Sequence, residues 1–269
     1  LHKTLVCCDV QAPYHDPDAT EILCQIGEDL KPDLLIDNGD FHDWLVLSTR
    51  FPIRTESDRF VSSLKSEVEI QASLREEIVR RIKPKRKRFH QGNHEWRLFR
   101  AMMQSRQVNE AFGEGFDRNK LWRRLNLSDW EMAGEYPEGS FIFPGRAPDK
   151  NVWVEHGYQV RKKAGFMAQA LIEERMTNVV TGHVERLAIV WRRAIGRREF
   201  FGVESGNLSL FARDDKAAGI YSTYPFNQPM FLQKTQGFLI IEEYGGDYFP
   251  ELVRIRNGKT VWRGRVYKA

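Results

Sequence analysis

Short apolar runs that stop at polar turns, each followed by an amphipathic stretch, organise the first half of the chain. Lys3 to Cys8 is apolar-rich and ends at Asp9, in a loop holding Pro13, Asp16 and Pro17, the pattern of a strand closed by a turn. Ala19, Ile22, Leu23, Ile26 and Leu30 then recur at the spacing of one buried helix face. Leu34 to Ile36 predicts a second strand, stopping at Asn38-Gly39-Asp40. Residues 57 to 82 contain neither Gly nor Pro and predict a long helix, capped by Ser57 and closed before Pro84. A third strand falls near Lys87 to His90 and ends at Gln91-Gly92-Asn93, and residues 95 to 130, charged and rich in Trp and Phe, predict helix in two or three pieces.

The second half turns strand-like. Val152 to Glu155, Asn178 to Thr181, and a hairpin of 186–194 with 198–203 across Ile195-Gly196-Arg197 surround a helix near 162–176. Phe238 to Glu243, Leu252 to Arg256 and Thr260 to Tyr267 follow, separated by Gly245-Gly246 and Asn257-Gly258 turns. Strands alternating with helices indicate an α/β fold. With no internal repeat and no low-complexity linker, the 269 residues read as a single domain, 1–269, with helical insertions at about 44–82 and 95–130.

Composition narrows the class. Apolar side chains make up 41% of residues and charged ones 29%, which excludes a disordered chain. The longest apolar run, Leu187 to Trp191, is five residues, against about 20 for a membrane helix, so no membrane association is expected. Cys7, Cys8 and Cys24 are odd in number, and the first two are adjacent in an apolar stretch, so reduced, buried thiols and a cytoplasmic location are expected.

Polar residues of metal-holding types recur where predicted strands end: Asp9 and Gln11, Asp40 and Asp43, Asn93 and His94, His156, and His183 with Glu185. In open α/β sheets the crevice beyond the carboxyl ends of strands is where ligands bind. Asp9-Val10-Gln11, Gly39-Asp40-Phe41-His42-Asp43, Gly92-Asn93-His94-Glu95, His156-Gly157 and Gly182-His183-Val184-Glu185 occur in that order, and the string resembles the calcineurin-like metallophosphoesterases. The opening Asp9 to Asp16, the run Gly92 to Leu98 and the closing Gln236-Gly237-Phe238 and Asn257-Gly258-Lys259 look like the bacteriophage and prophage branch.

The resemblance implies a four-layer αββα sandwich and two divalent metal ions bridged by a carboxylate and a hydroxide that attacks phosphorus. Asp40 matches the bridging carboxylate, and Asn93, His156 and His183 match the remaining ligands of one metal. The other site departs from the family twice: Gln11 and Glu185 stand where the family has His. Asp9, Gln11, Asp40 and Glu185 are all oxygen donors, a set that favours Mn²⁺ or Mg²⁺ over Zn²⁺, with Fe also compatible at the mixed site. This second site is either firmly or weakly held. His94 matches the catalytic histidine, with Asp43 as acceptor for its other ring nitrogen. Arg97 is a candidate phosphate clamp, His42 a candidate wall residue, and His15 a candidate to reach inward.

Charge enters last. The formal net charge is only +4, but Arg80, Arg81, Lys83, Lys85, Arg86, Lys87 and Arg88 crowd before Gly92-Asn93-His94, and Arg192, Arg193, Arg197 and Arg198 gather after His183. Such runs beside a phosphoester site suit a nucleic-acid backbone, with Tyr221, Tyr224, Phe226 and Phe231 available to stack on bases. The leading expectation is a phosphodiesterase or nuclease acting on nucleic acid, in the host cytoplasm if phage-encoded. The alternatives are a phosphomonoesterase and a non-catalytic binding module. Trp44-Leu45 stands where Ser/Thr protein phosphatases carry Arg-Gly, which weighs against a phosphoprotein substrate.

Overall fold

A computed structural model describes residues 1–44, 47, 64–106, 110, 118–143, 147–193, 198–210 and 234–269. The expected helix start at Ser57, the hairpin tip 195–197 and the aromatic residues at 221, 224, 226 and 231 lie outside these. In chain order the elements are β1 (His2–Cys7), α1 (Pro17–Leu30), β2 (Leu34–Asp37), α2 (Leu64–Ile82), β3 (Arg86–Phe89), α3 (Asn93–Gln104) and α4 (Arg118–Arg124). Then come β4 (Glu131–Met132), β5 (Ser140–Phe141), β6 (Val152–Glu155), α5 (Phe166–Arg175), β7 (Asn178–Thr181), β8 (Leu187–Arg193) and β9 (Glu199–Ser205). Two hairpins close the chain: β10 (Gly237–Tyr244) with β11 (Asp247–Arg254), and β12 (Lys259–Trp262) with β13 (Arg265–Lys268).

Period-2 alternation along the strands builds the layers. One sheet has the order β11-β10-β1-β2-β3-β4 and the other β5-β6-β7-β9-β8. Val6, Leu34, Ile36, Leu239 and Ile241 of the first face Val152, Val154, Val180, Phe201 and Val203 of the second in one core. Their alternate neighbours Leu5, Leu35, Phe238 and Ile240 point the other way, onto the helical layer that includes α1, α2, α3 and α4. On the outer face of the second sheet Val179 and Phe200 pack against Met167, Leu171 and Ile172 of α5. The order helix, sheet, sheet, helix is the four-layer αββα sandwich. Each fully buried Val, Leu, Ile or Phe contributes about 1.5–3 kcal/mol, so the two-sheet core and the α1 face carry much of the stability.

Local chemistry sets the ends of α1. Asp16 caps it by accepting from the Asp18 amide at 3.1 Å, and Pro17 takes the first helical position, where no amide is needed. The expected final strand over 260–267 is instead the hairpin β12–β13, because Arg263 and Gly264 both take positive φ, 47° and 76°, as a two-residue turn requires. The strands β4 and β5, two residues each, are too short to show a period and were not expected. Cys7, Cys8 and Cys24 are free and buried. No helix among the described residues is long and apolar enough to cross a membrane.

Candidate metal centre

Parallel pairing brings the strand ends level. Cys7 lies opposite Asp37 and Asp37 opposite Phe89, while Glu155 lies opposite Thr181 and Thr181 opposite Glu204. The loops leaving β1, β2 and β3 therefore emerge beside one another, and those leaving β6 and β7 do the same. Asn38 ties the two sets together: its Nδ2 donates to the Glu155 carbonyl at 3.1 Å, and its own carbonyl lies 2.8 Å from His156 Nδ1. Asp9, Gln11, Asp40, His183 and Glu185 hold left-handed φ values of 50°, 53°, 52°, 62° and 54°. Such backbone costs about 1–3 kcal/mol per residue and persists where surrounding structure enforces it. Gly92 permits a close approach, since a Cβ there would stand 2.1 Å from Asp40 Oδ1.

Asp40, Asn93, His156 and His183 come together. Asp40 Oδ2 is 3.2 Å from His156 Nε2, Asn93 Oδ1 is 3.3 Å from the same nitrogen, and the ligating atoms of Asp40, His156 and His183 all lie within 4.8 Å of one another. With Nδ1 held by the Asn38 carbonyl, His156 presents Nε2 to the cluster, as an outer partner orients a metal-binding imidazole. Burial opposes the Asp40 charge, but His156, His94 and His183 hold its carboxyl well below the usual carboxylate range. Burial likewise opposes the His156 charge, and Asp40 and Asp9 overcome it, pushing that imidazole up to about 10. His183 goes down to about 4, through burial and the His156 charge.

The other expected half is looser. Asp9 is fully buried; its Oδ2 accepts from the His183 amide at 3.1 Å and faces the Cys8 thiol, while Oδ1 has no hydrogen-bond partner among the described residues. Burial and the neighbouring Asp40 and Glu185 charges push its carboxyl up to about 8, against the opposing pull of His156. Gln11 Nε2 donates to Glu185 Oε1 at 3.4 Å, and Lys234 Nζ sits 2.5 Å from Glu185 Oε2. Among the described residues, the clusters with metal-ligand spacing are Asp40-His156-His183 and Cys8-Asp9-His156, so Glu185 stands outside both, neutralised by a lysine. His15 also stands outside, its backbone bridged to Ser209.

These donors fit a divalent cation. A buried carboxylate oxygen without a donor is costly, and the Asp9 side chain shares His156 with the cluster of Asp40, Asn93 and His183, a set of carboxylates, a carboxamide oxygen and imidazoles of metal-holding type. A cation held here would supply the missing partner to Asp9 and would compete with protons for Asp9 and His156, both of which are raised in pKa.

His94 lies beside the cluster with Nε2 3.7 Å from Asp40 Oδ2 and Nδ1 3.6 Å from Asp43 Oδ2, just beyond hydrogen-bond reach. Burial works against its charge, yet Asp40, with Asp43 in support, raises its pKa. Its own amide donates to Asp40 Oδ1 at 2.8 Å, which locks the two residues together. Arg97 does not face the cluster as a free fork: its Nη1 donates to the Asp43 carbonyl at 2.9 Å and lies 3.7 Å from Asp43 Oδ1, so in this structure it holds Asp43 in place.

His42 is not a wall residue. It is wholly buried behind the loops, with Nδ1 2.8 Å from Glu95 Oε1 and Nε2 3.0 Å from Arg75 Nη1. Glu95 also accepts from the amides of Asp40, His42 and Gly92 at 2.9, 3.1 and 2.7 Å, so one carboxylate shapes both turns of the site. Arg75 pairs with Asp37 at 2.8 Å and lies over the Phe41 ring, 4.0 Å from its centroid. Sequence reasoning missed this support, although a signal exists: Gln71 and Arg75 share the buried face of α2 with Val68, Ile78 and Ile82. Lys234 left no comparable signal.

The described members of the two basic runs do not border the centre. Residues 80–88 lead into the start of β3, whereas the centre lies beyond its end. Arg80 pairs with Glu77, Arg81 with Glu21 and Glu28, Lys85 with Asp33, Lys87 with Asp129, and Arg86 and Arg88 share Glu131. Arg192 and Arg193 lie at the far end of β8, paired with Glu173 and Glu199.

No protein-family model matches the chain. In sequence it is 23% identical over 276 residues to the gene 54 protein of Mycobacterium phage D29, covering 99% of this chain and 98% of that protein. In structure it is similar to vacuolar protein sorting 29 from Cryptosporidium parvum, with 12% identity and a TM-score of 0.48, covering 100% of this chain and 98% of that one. It is also similar to YfcE, a phosphoesterase from E. coli, with 12% identity and a TM-score of 0.37, covering 90% and 88%.

Proposed function

We propose that the chain is a divalent-metal phosphoesterase. The observation that carries this reading is the convergence of Asp40, Asn93, His156 and His183, from strand ends of both sheets, with His94 beside them. Asp40, Asn93, His156 and His183 would hold one cation, and Asp9 and Gln11, sharing Asp40, a second, with Glu185 joining once Lys234 releases it. Bound cations supply charge against the phosphoryl oxygens and an acidified water for attack at phosphorus.

The chain's own part is to place a proton. His94, raised in pKa by Asp40, carries one at Nε2 and gives it to the departing ester oxygen. Asp43 faces Nδ1 and keeps the ring turned so that Nε2 meets the leaving group, while Arg97 holds Asp43. Buried Glu95 and Arg75 fix the turns that carry Asp40 and His94, so little reorganisation is needed when substrate arrives.

For substrate we infer a phosphodiester in nucleic acid. The basic groups on the side of the centre, Arg161, Lys162 and Lys163 in the loop after His156, support it. The displacement and internal pairing of the two long basic runs favours a second reading, a phosphomonoesterase on a small phosphate. A phage or prophage origin is supported by the likeness to a phage protein along nearly the whole chain.

The test is a panel: p-nitrophenyl phosphate, bis-p-nitrophenyl phosphate, and single- and double-stranded DNA, each with Mn²⁺, Mg²⁺ or Zn²⁺ and with a His94→Ala control. Polynucleotide and diester hydrolysis lost in the control selects the first reading, and monoester hydrolysis alone selects the second. No turnover with any metal refutes the enzyme and leaves a binding module.

A further inference from the structure

The loop from Gly157 to Phe166 leaves His156 at the end of β6 and enters α5, so it starts at a residue of the candidate centre and lies at the same end of the sandwich. It carries Arg161, Lys162 and Lys163, all exposed, and the chain has no acidic residue from 156 to 172. Unlike the 80–88 run, none of the three is ion-paired among the described residues. Two large rings flank them: Tyr158 is 58% exposed and Phe166 50%. Lys163 Nζ already lies over the Phe166 ring, 5.5 Å from its centroid.

The loop is anchored. Arg186, buried and 3.3 Å from Glu204 Oε2, donates to the Arg161 carbonyl at 2.9 Å, so the cations project from a fixed backbone. On the side of the centre, the Tyr136 ring stands 6.4 Å from that of His156, the residue from which the loop departs.

Exposed rings on either side of cations without an ion pair among the described residues match single-stranded nucleic acid: phosphates meet the cations, and unstacked bases offer faces to the rings. A duplex keeps its base faces covered and gains only the charge contribution. We propose that Tyr158, Arg161, Lys162, Lys163 and Phe166 form a single-strand docking loop that leads a bound strand to the candidate metal centre. This rests on the phosphoesterase reading for what happens at the centre, but not for binding.

The experiment measures fluorescence anisotropy of a labelled 20-nucleotide oligothymidylate with phosphorothioate linkages, which separates binding from cleavage. The full metal-loaded chain is compared with an Arg161→Ala/Lys162→Ala/Lys163→Ala variant across a salt series. Affinity is expected to fall at least about tenfold, and the slope of log affinity against log salt to shrink by about 2, the share of three phosphate contacts. Tyr158→Ala and Phe166→Ala are each expected to weaken binding about tenfold and leave the slope unchanged. Arg192→Ala/Arg193→Ala/Arg198→Ala, which removes equal charge from the opposite end, is expected to change affinity less than twofold.

Equal weakening by both triple variants, equal affinity for a duplex of the same length, or binding confined to phosphatidylserine vesicles would each overturn the proposal. Thermal melts verify that the variants fold. Hydrolysis of bis-p-nitrophenyl phosphate by the unaltered chain separates the two readings. Loop-dependent binding with no hydrolysis of this diester or of p-nitrophenyl phosphate refutes the phosphoesterase and keeps the loop, and hydrolysis without loop-dependent binding does the reverse.

Discussion

The two halves of the candidate centre, which in our proposal share Asp40, differ in how far they are built. In one, Asn38 orients His156, and Asp40, Asn93 and His183 close around its Nε2. In the other, one Asp9 oxygen has no partner among the described residues, Gln11 spends its amide on Glu185, and Glu185 is held by Lys234. The lesson is that a ligand's chemistry does not settle its availability. Glu185 is a good hard donor by type, yet a cation that recruits it must displace an ammonium group first. The account therefore requires one firm site and one that fills later and binds more weakly.

The predictions probe that asymmetry in falling order of effect. Asp40→Asn removes the carboxylate common to both halves. Turnover is expected to fall by more than about 10³-fold, beyond the 10–100-fold typical of residues that only support a ligand, with loss of the tight metal in a binding titration. Retention of tight binding would break the claim that Asp40 joins the halves. His94→Ala leaves both halves intact and removes the proton donor. A loss of about 10²–10⁴ is expected for esters with a poor leaving group, and a smaller one for p-nitrophenyl esters, read from kcat with metal saturating. Equal losses for both would contradict proton donation.

Asp43→Asn keeps the size of the group that faces His94 Nδ1 and removes its charge, so about a tenfold loss is expected, again larger for poor leaving groups. Lys234→Gln sharpens the comparison most specifically. Freeing Glu185 is expected to tighten the weaker metal about three- to tenfold, on the order of 1 kcal/mol for a partly buried charge pair, and to leave the tighter metal unchanged. A shift in the tight site instead would reverse the assignment.

Much of this was legible in order and type. Strand, loop and helix followed from apolar periodicity, and the polar residues at strand ends marked the edge where both sheets deliver their loops. The left-handed backbone at Asp9, Gln11, Asp40, His183 and Glu185 was not legible, because none is Gly and only the assembled loops impose it. Nor was the fate of the basic run: Glu131 and Asp33 neutralise Arg86, Arg88 and Lys85 from 43 to 52 positions away in the chain. A local window sees seven cations there, whereas the fold ties six of them into ion pairs away from the site. The Lys234–Glu185 contact is likewise long-range, and it changes the reading of the Glu185 position from open ligand to guarded one.

The most direct test of the central claim is a calorimetric Mn²⁺ titration of the metal-free chain at pH 7.5, repeated in two buffers of different ionisation enthalpy. Asp9 and His156, both pushed up in pKa, hold protons there that the cation must displace, so affinity rises with pH. The account predicts one tight ion, a second bound at least about tenfold more weakly, and release of at least one proton. Two equally tight ions, or tight binding with no proton released, would contradict it.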